Sequence, residues 1–351
     1  TQLAVGGRHA CAIEMSKVFC WGDNTRYQLG TTQGYPSSSV PMEVEGIDNA
    51  TAVVAGYEHT CALLSDKTVK CWGSNQSKQL GRSGATSATP SAVVGLTDVR
   101  ALTAGNDFNC ALVGAGGGVK CWGYNTAYGP QLGRLSAGAN IGSNDNPADP
   151  TPDWVVGLES GVTKVVAGSS HACAILLDET VKCWGGNMSG QLGTGDRTSP
   201  SMSSPGAVLA GGLSGVKGLG VGDQHTCALF GDGSLKCWGS FFEGELGSGT
   251  NDANEVGNQG LSPNTVVATG GSSTPMSGAS AISAGMAYSC AVKATKTVVC
   301  WGTNGSSQLG AGSGSGYVPA PVAVSNISNI AFVSAGMSTA CAISTSRVVY
   351  C

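Results

Sequence analysis

Apolar residues in this chain fall in short runs separated by clusters of Ser, Thr, Asn, Asp and Gly, and no segment carries a helical period. The segment Cys61-Ala-Leu-Leu-Ser-Asp-Lys-Thr-Val-Lys-Cys71 shows the local grammar. Two apolar runs flank Ser-Asp-Lys, a turn sequence, which predicts a β-hairpin with a cysteine at each outer end. Upstream runs such as Ala52-Val53-Val54-Ala55 and Lys164-Val165-Val166-Ala167 predict a strand before the hairpin. Downstream runs such as Ser91-Ala92-Val93-Val94 and Pro321-Val322-Ala323-Val324 predict another after it. That makes about four strands per unit, and seven units follow one another at about 50 to 63 residues. Four-stranded units at this period are propeller blades, so the chain is expected to be all-β, a single seven-bladed β-propeller over residues 1–351.

The seven copies can be laid on one another within the one chain. First cysteines stand at Cys11, Cys61, Cys110, Cys173, Cys227, Cys290 and Cys341, each followed by Ala and preceded by a Gly five residues earlier. Second cysteines stand at Cys20, Cys71, Cys121, Cys183, Cys237, Cys300 and Cys351. The hairpins therefore run over 11–20, 61–71, 110–121, 173–183, 227–237, 290–300 and 341–351. Directly opposed antiparallel residues lie about 4.5–5.5 Å apart at Cα, a span that a disulfide bridges. One disulfide per hairpin is expected, and no Cys-x2-Cys pair offers a metal site instead. Six second cysteines open Cys-Trp-Gly, at Trp21, Trp72, Trp122, Trp184, Trp238 and Trp301, and each is followed by Gln-Leu-Gly or Glu-Leu-Gly. The seventh copy stops at Cys351, where Trp would follow. Its blade is expected to lack an outer strand, or to receive one from further sequence or a neighbouring copy.

The pattern Trp-Gly-x-Asn-x-x-x-Gln-Leu-Gly, followed by Gly-x-x-His-x-Cys-Ala-Leu, resembles the RCC1 repeat across essentially the whole chain. The resemblance implies a propeller of RCC1-type repeats. It leaves function open, because that fold hosts exchange factors, enzyme inhibitors and surface proteins. The nuclear exchange factor that names the family works in a reducing compartment. The paired cysteines count against that role and resemble the secreted branch of the family.

Fourteen cysteines at regular spacing favour an oxidising, extracellular or cell-surface setting. The net charge of −4 gives no basic excess for a nucleic-acid partner. No apolar run approaches the ~18 residues of a membrane span. The chain opens at Thr1 and reads as a processed or partly observed product. Charged residues make up only 11% of the chain, so much of its surface is expected to be neutral, suited to packing against copies of itself or to carrying glycans.

Few residues stand out as chemical sites. His9, His59, His171 and His225 all lie two residues before a first cysteine, a repeat position that predicts architecture rather than catalysis. Asn24, Asn75, Asn125, Asn187 and Asn304 share one turn position, with Phe241 in the fifth copy. Asn75, Asn187 and Asn304 also head Asn-x-Ser sequons, and Asn49 and Asn326 complete two more outside that turn, giving five candidate glycosylation sites. Trp154, in the Pro147–Trp154 connection, and the pair Phe241 and Phe242 are candidate partner contacts. Asp145, Asp149 and Asp153 lack calcium-loop spacing. No nucleophile elbow or phosphate loop is present, and no enzyme, cofactor or metal is expected.

The expected function is a non-enzymatic extracellular module for protein–protein contact or structural assembly, such as the subunit of a surface appendage or filament. The alternative is a secreted inhibitor that covers a target enzyme with one propeller face. A guanine-nucleotide exchange factor ranks third.

Overall fold

The structure is a computed structural model that describes residues 2–125, 131–133, 152–197, 201–208, 213–250, 260–261, 263–270, 273–312 and 316–351. It is an all-β, seven-bladed propeller. Blade 1 comprises Leu3–Val5, His9–Glu14, Lys17–Asp23 and Ser37–Glu43, from the axis outward. Blade 2 comprises Ala50–Ala55, His59–Leu64, Val69–Gly73 and Ser87–Ala92, and blades 3 to 6 repeat this order. The described strands of blade 7 are Ile330–Ala335, Ala340–Ser344 and Val349–Tyr350, in a three-stranded sheet. Neighbouring strands are antiparallel throughout.

The hairpins form as the sequence predicts. Cys61 lies opposite Cys71, and the same register recurs from Cys11 and Cys20 onward. All seven pairs are bonded, with Cα–Cα distances of 4.1 to 4.2 Å. Every cysteine is buried except Cys351, which is exposed.

At the axis, Gly6, Gly56, Gly105, Gly168, Gly222, Gly285 and Gly336 form an inner ring. A Cβ on any of them would collide with the carbonyl oxygen of the next, and Gly336 returns to Gly6. This is close backbone approach that only glycine allows. It leaves an axial channel of about 90 Å³.

The core lies between blades rather than within them. The cluster between blades 2 and 3 joins the Cys61–Cys71 disulfide, Leu80 and Val93 from one blade to Val99, Ala111 and Trp122 from the next. The tryptophan thus comes from the following blade and is fully buried. Trp72, Trp184, Trp238 and Trp301 repeat the arrangement.

The outer strands share a pattern that the repeat comparison overlooks. Each carries Pro-x-x-Val, at Pro41–Val44, Pro90–Val93, Pro152–Val155, Pro205–Val208, Pro263–Val266 and Pro321–Val324. The valine N–H donates to the carbonyl two residues before the second cysteine, as in Val44 to Val18 at 2.8 Å and Val93 to Val69 at 2.9 Å. Proline tolerates this place because an edge strand needs fewer ladder donors.

Candidate interaction surfaces

The histidines join one blade to the next. His9 Nε2 lies 2.8 Å from Thr60 Oγ1, and Thr60 Oγ1 donates to the Gln28 carbonyl at 2.9 Å. His59 meets Asn109 Oδ1 at 2.9 Å, and Asn109 Nδ2 donates to the Gln79 carbonyl at 2.8 Å. His171 meets Thr226 and His225 meets Ser289, each at 2.8 Å. The partner is always the residue before the next blade's first cysteine. Where the histidine position holds Phe108 or Tyr288, that neighbour is Ala172 or Ala340, and the two pack in one apolar cluster. The pairing links residues 50 to 64 positions apart, so no single repeat reveals it.

All four imidazoles are fully buried and held neutral. Burial is the main cause: it pulls His9 down to about 3, helped by His59 and opposed by Asp23. His171 also falls to about 3, by burial and then by His225. His59 and His225 fall to about 4, with the Asn109 bond opposing the shift at His59. A neutral, enclosed imidazole at a repeat position is a clamp and not an acid–base catalyst. Among the described residues, no three His, Cys, Asp or Glu side chains converge as a metal ion requires.

The Asn and Gln of the motif close its turn. Asn75 Oδ1 accepts the Leu80 N–H at 3.0 Å, and Gln79 Oε1 accepts that of Ser77 at 2.8 Å. The next blade's indole then caps the turn, with Trp122 Nε1 donating to the Gln79 carbonyl at 3.0 Å. In blade 5 Glu245 takes the glutamine's place. Burial raises its pKa, and it accepts from Ser240 Oγ at 2.6 Å and from the Glu243 N–H.

The antiparallel order brings these turns and the loops between first and second strands to one face. Ser74 N donates to the Glu58 carbonyl there, and Arg26 pairs with Glu58 at 3.6 Å. Tyr27, Tyr124, Met188 and Phe242 stand out from motif turns on this face, 38% to 71% exposed. They come from blades 1, 3, 4 and 5, so the exposed large side chains are spread around the ring. Met15 and Leu177 project from hairpin turns on the opposite face.

The predicted contact residues separate. Phe241 and Phe242 stack on each other with centroids 4.6 Å apart, Phe241 packing inward and Phe242 standing out. Trp154 belongs to the outer strand of blade 3, Asp153–Trp154, rather than to a connection, with Lys120 Nζ 4.8 Å from its ring centre. Asp145 and Asp149 lie outside the described residues.

The sequons divide as well. Asn75, Asn187 and Asn304 are buried within their turns. Asn75 Nδ2 donates to the carbonyls of Arg82 and Gly84, and Asn187 Nδ2 to that of Asp196. A glycan on Asn75 or Asn187 would displace those bonds. Asn326 is exposed, and Asn49 is partly exposed.

A family model described as an RCC1-like domain matches residues 1–350. The chain is 30% identical over 254 residues to the probable E3 ubiquitin-protein ligase HERC6 of Homo sapiens, covering 70% of this chain and 24% of that protein. It is 28% identical over 265 residues to the ultraviolet-B receptor UVR8 of Arabidopsis thaliana, covering 74% and 54%. The chain thus spans about a quarter and about half of these relatives. Among solved structures, Prp20p of Saccharomyces cerevisiae, described with its binding to Gsp1p and histones, superposes with a TM-score of 0.81 at 22% identity, covering 97% of this chain and 81% of that one. Human WBSCR16 gives 0.80 at 19% identity, covering 98% and 86%. These two show the fold. With the Trp-Gly and Gln-Leu-Gly turns sealing successive blades and the family model spanning the ring, the chain belongs to the RCC1-like domain family.

Proposed function

We propose that this RCC1-like propeller, a member of a family of protein-interaction modules, works extracellularly as a non-enzymatic assembly unit that packs against copies of itself. The carrying observation is the cysteine inventory: seven disulfides, one per blade, and no free cysteine. Such a set persists in an oxidising compartment and has little purpose in a reducing one. Self-packing is supported by the sparse charge and by Tyr27, Tyr124, Met188 and Phe242 spread over several blades of one face. An inhibitor covering one enzyme would gather its aromatic anchors into a single patch. The stacked Phe241–Phe242 pair is the one feature that favours this second reading.

Two measurements test the proposal. Thiols are alkylated in the source material before lysis: oxidised cysteines are expected, and labelled free cysteines overturn the compartment. Negative-stain microscopy of native material is expected to show ordered arrays or filaments, and single dispersed rings at high concentration overturn assembly.

A further inference from the structure

The inner strands of blades 2 to 6 line an axial funnel whose composition breaks at one residue. The residue two before the ring glycine is Val54, Thr103, Val166, Gly220 or Ser283. The residue four before it is Ala52, Ala101, Lys164, Gly218 or Ala281. The latter five hold one register position, as Ala52 lies opposite Leu63 and Lys164 opposite Ile175. Four of them are Ala or Gly and one is Lys. The blade fold does not call for a cation here, because the other four blades form with no side chain longer than a methyl.

Lys164 opens on a cavity of about 240 Å³, together with Val54, Thr103, Val166, Ile282 and Ser283. The inner strands of blades 1 and 7 complete the wall, and no Asp or Glu lines it. At its floor the ring glycines narrow the axis to the channel of about 90 Å³. Lys17, Lys67 and Lys217 pair with Glu43, Asp98 and Glu179, whereas Lys164 has no ion pair or hydrogen bond among the described residues. Its side chain reaches water, yet the surrounding blades bury the ammonium enough to lower its pKa. Two hydroxyls of the wall add donors. Thr103 Oγ1 accepts the Ala167 N–H at 3.0 Å, and Ser283 Oγ accepts the Ala335 N–H at 3.0 Å. Each keeps its own O–H to donate.

We propose that the funnel binds a small amphipathic carboxylate, with its anionic head on Lys164 Nζ and the Thr103 hydroxyl and its apolar body against Val54, Val166 and Ile282. An ammonium partly withdrawn from water gains more from an opposite charge than an exposed one does. The lining offers that ammonium and hydroxyl donors but no carboxylate, so it selects an anion over a cation. The cavity is smaller than the ~300–1,000 Å³ of drug-sized sites, which suits a short-chain ligand. The inference rests on this cavity and stands whether or not the propeller packs against itself.

The test is isothermal titration of the whole protein with sodium octanoate, where saturable one-to-one binding is expected. Octanol and octyltrimethylammonium keep the tail and change the head. Each should bind at least about tenfold more weakly, the value of a charge-assisted hydrogen bond. Inorganic phosphate, a charge without the tail, should fall short of octanoate by a similar factor. Lys164→Met should lose octanoate binding to the same extent. A second measurement needs no substitution: in NMR of the wild-type lysine side chains, octanoate should raise the Lys164 pKa towards the ordinary lysine value. No binding at millimolar octanoate, equal binding of octanol, binding retained by Lys164→Met, or a Lys164 pKa that octanoate does not move each overturns the proposal. Phosphate binding as tightly as octanoate marks a plain anion site and overturns it too.

Discussion

Acidification from pH 7.5 to pH 5 should destabilise the ring through its four histidine clamps. Each imidazole is neutral in the folded state, with a pKa of about 3 or 4 against an ordinary value of 6.5. Between those values the unfolded chain binds more protons than the folded one. Stability is therefore fully present above pH 6.5 and is lost as pH falls through 6.5 towards 4. At pH 5 the linkage is about 2 kcal/mol per histidine, and ~8 kcal/mol for four sites acting independently. That is comparable with the whole net stability of an ordinary domain, ~5–15 kcal/mol. Asp107 and Glu245 oppose the trend, because burial raises their pKa and protonation favours their folded form. The assay is urea unfolding followed by tryptophan fluorescence in non-reducing buffer at pH 7.5, 6.5, 5.5 and 5.0. The control is the pair His171→Phe with Thr226→Ala, which copies the natural Phe108–Ala172 junction. It should remove about a quarter of the histidine-linked pH dependence. A wild-type midpoint that does not move between pH 7.5 and pH 5, or an unchanged slope in the double variant, would refute the clamp.

Other outcomes follow from burial and hydrogen bonding. Replacing both Cys61 and Cys71 by Ala should cost ~3 kcal/mol, the chain-entropy value for a ten-residue loop, read as a lower urea midpoint. Trp122→Phe removes the bond to Gln79 and should cost ~1–2 kcal/mol, while Trp122→Ala should cost ~3–5 kcal/mol. Tyr288→His with Ala340→Thr should install a fifth clamp and raise stability near neutral pH by about 1 kcal/mol, provided both changes are made together; either single change should show no gain in the same assay.

Much of this fold is legible in the sequence because its defining contacts are local. Cys61 and Cys71 sit at the ends of one hairpin, so spacing alone predicts their bond. Asn75 and Leu80 lie within one turn. What the repeats conceal is what passes between them. Thr60, Asn109, Thr226 and Ser289 look like unremarkable residues before a cysteine until each is set against the histidine of the preceding blade. The Pro-x-x-Val strands escape notice for another reason: the loops from Trp-Gly to the proline differ in length, so the motif drifts out of register when copies are aligned on cysteine. Trp154 reads as a loop residue for the same cause, although it occupies an outer strand. The turn sequons carry the signal for modification in sequence, but Asn75 and Asn187 spend their amide nitrogens inside the fold.

Blades and ring are held by different bonds. In a repeat array, stability is roughly a sum of unit terms and nearest-neighbour terms. Here the neighbour terms are the junctions sealed by the fully buried Trp72, Trp122, Trp184, Trp238 and Trp301. Disulfides add nothing to them, since each one closes a hairpin inside its own blade and none crosses a junction. The staples preserve the parts, and the glycine ring with its flanking side chains preserves the circle.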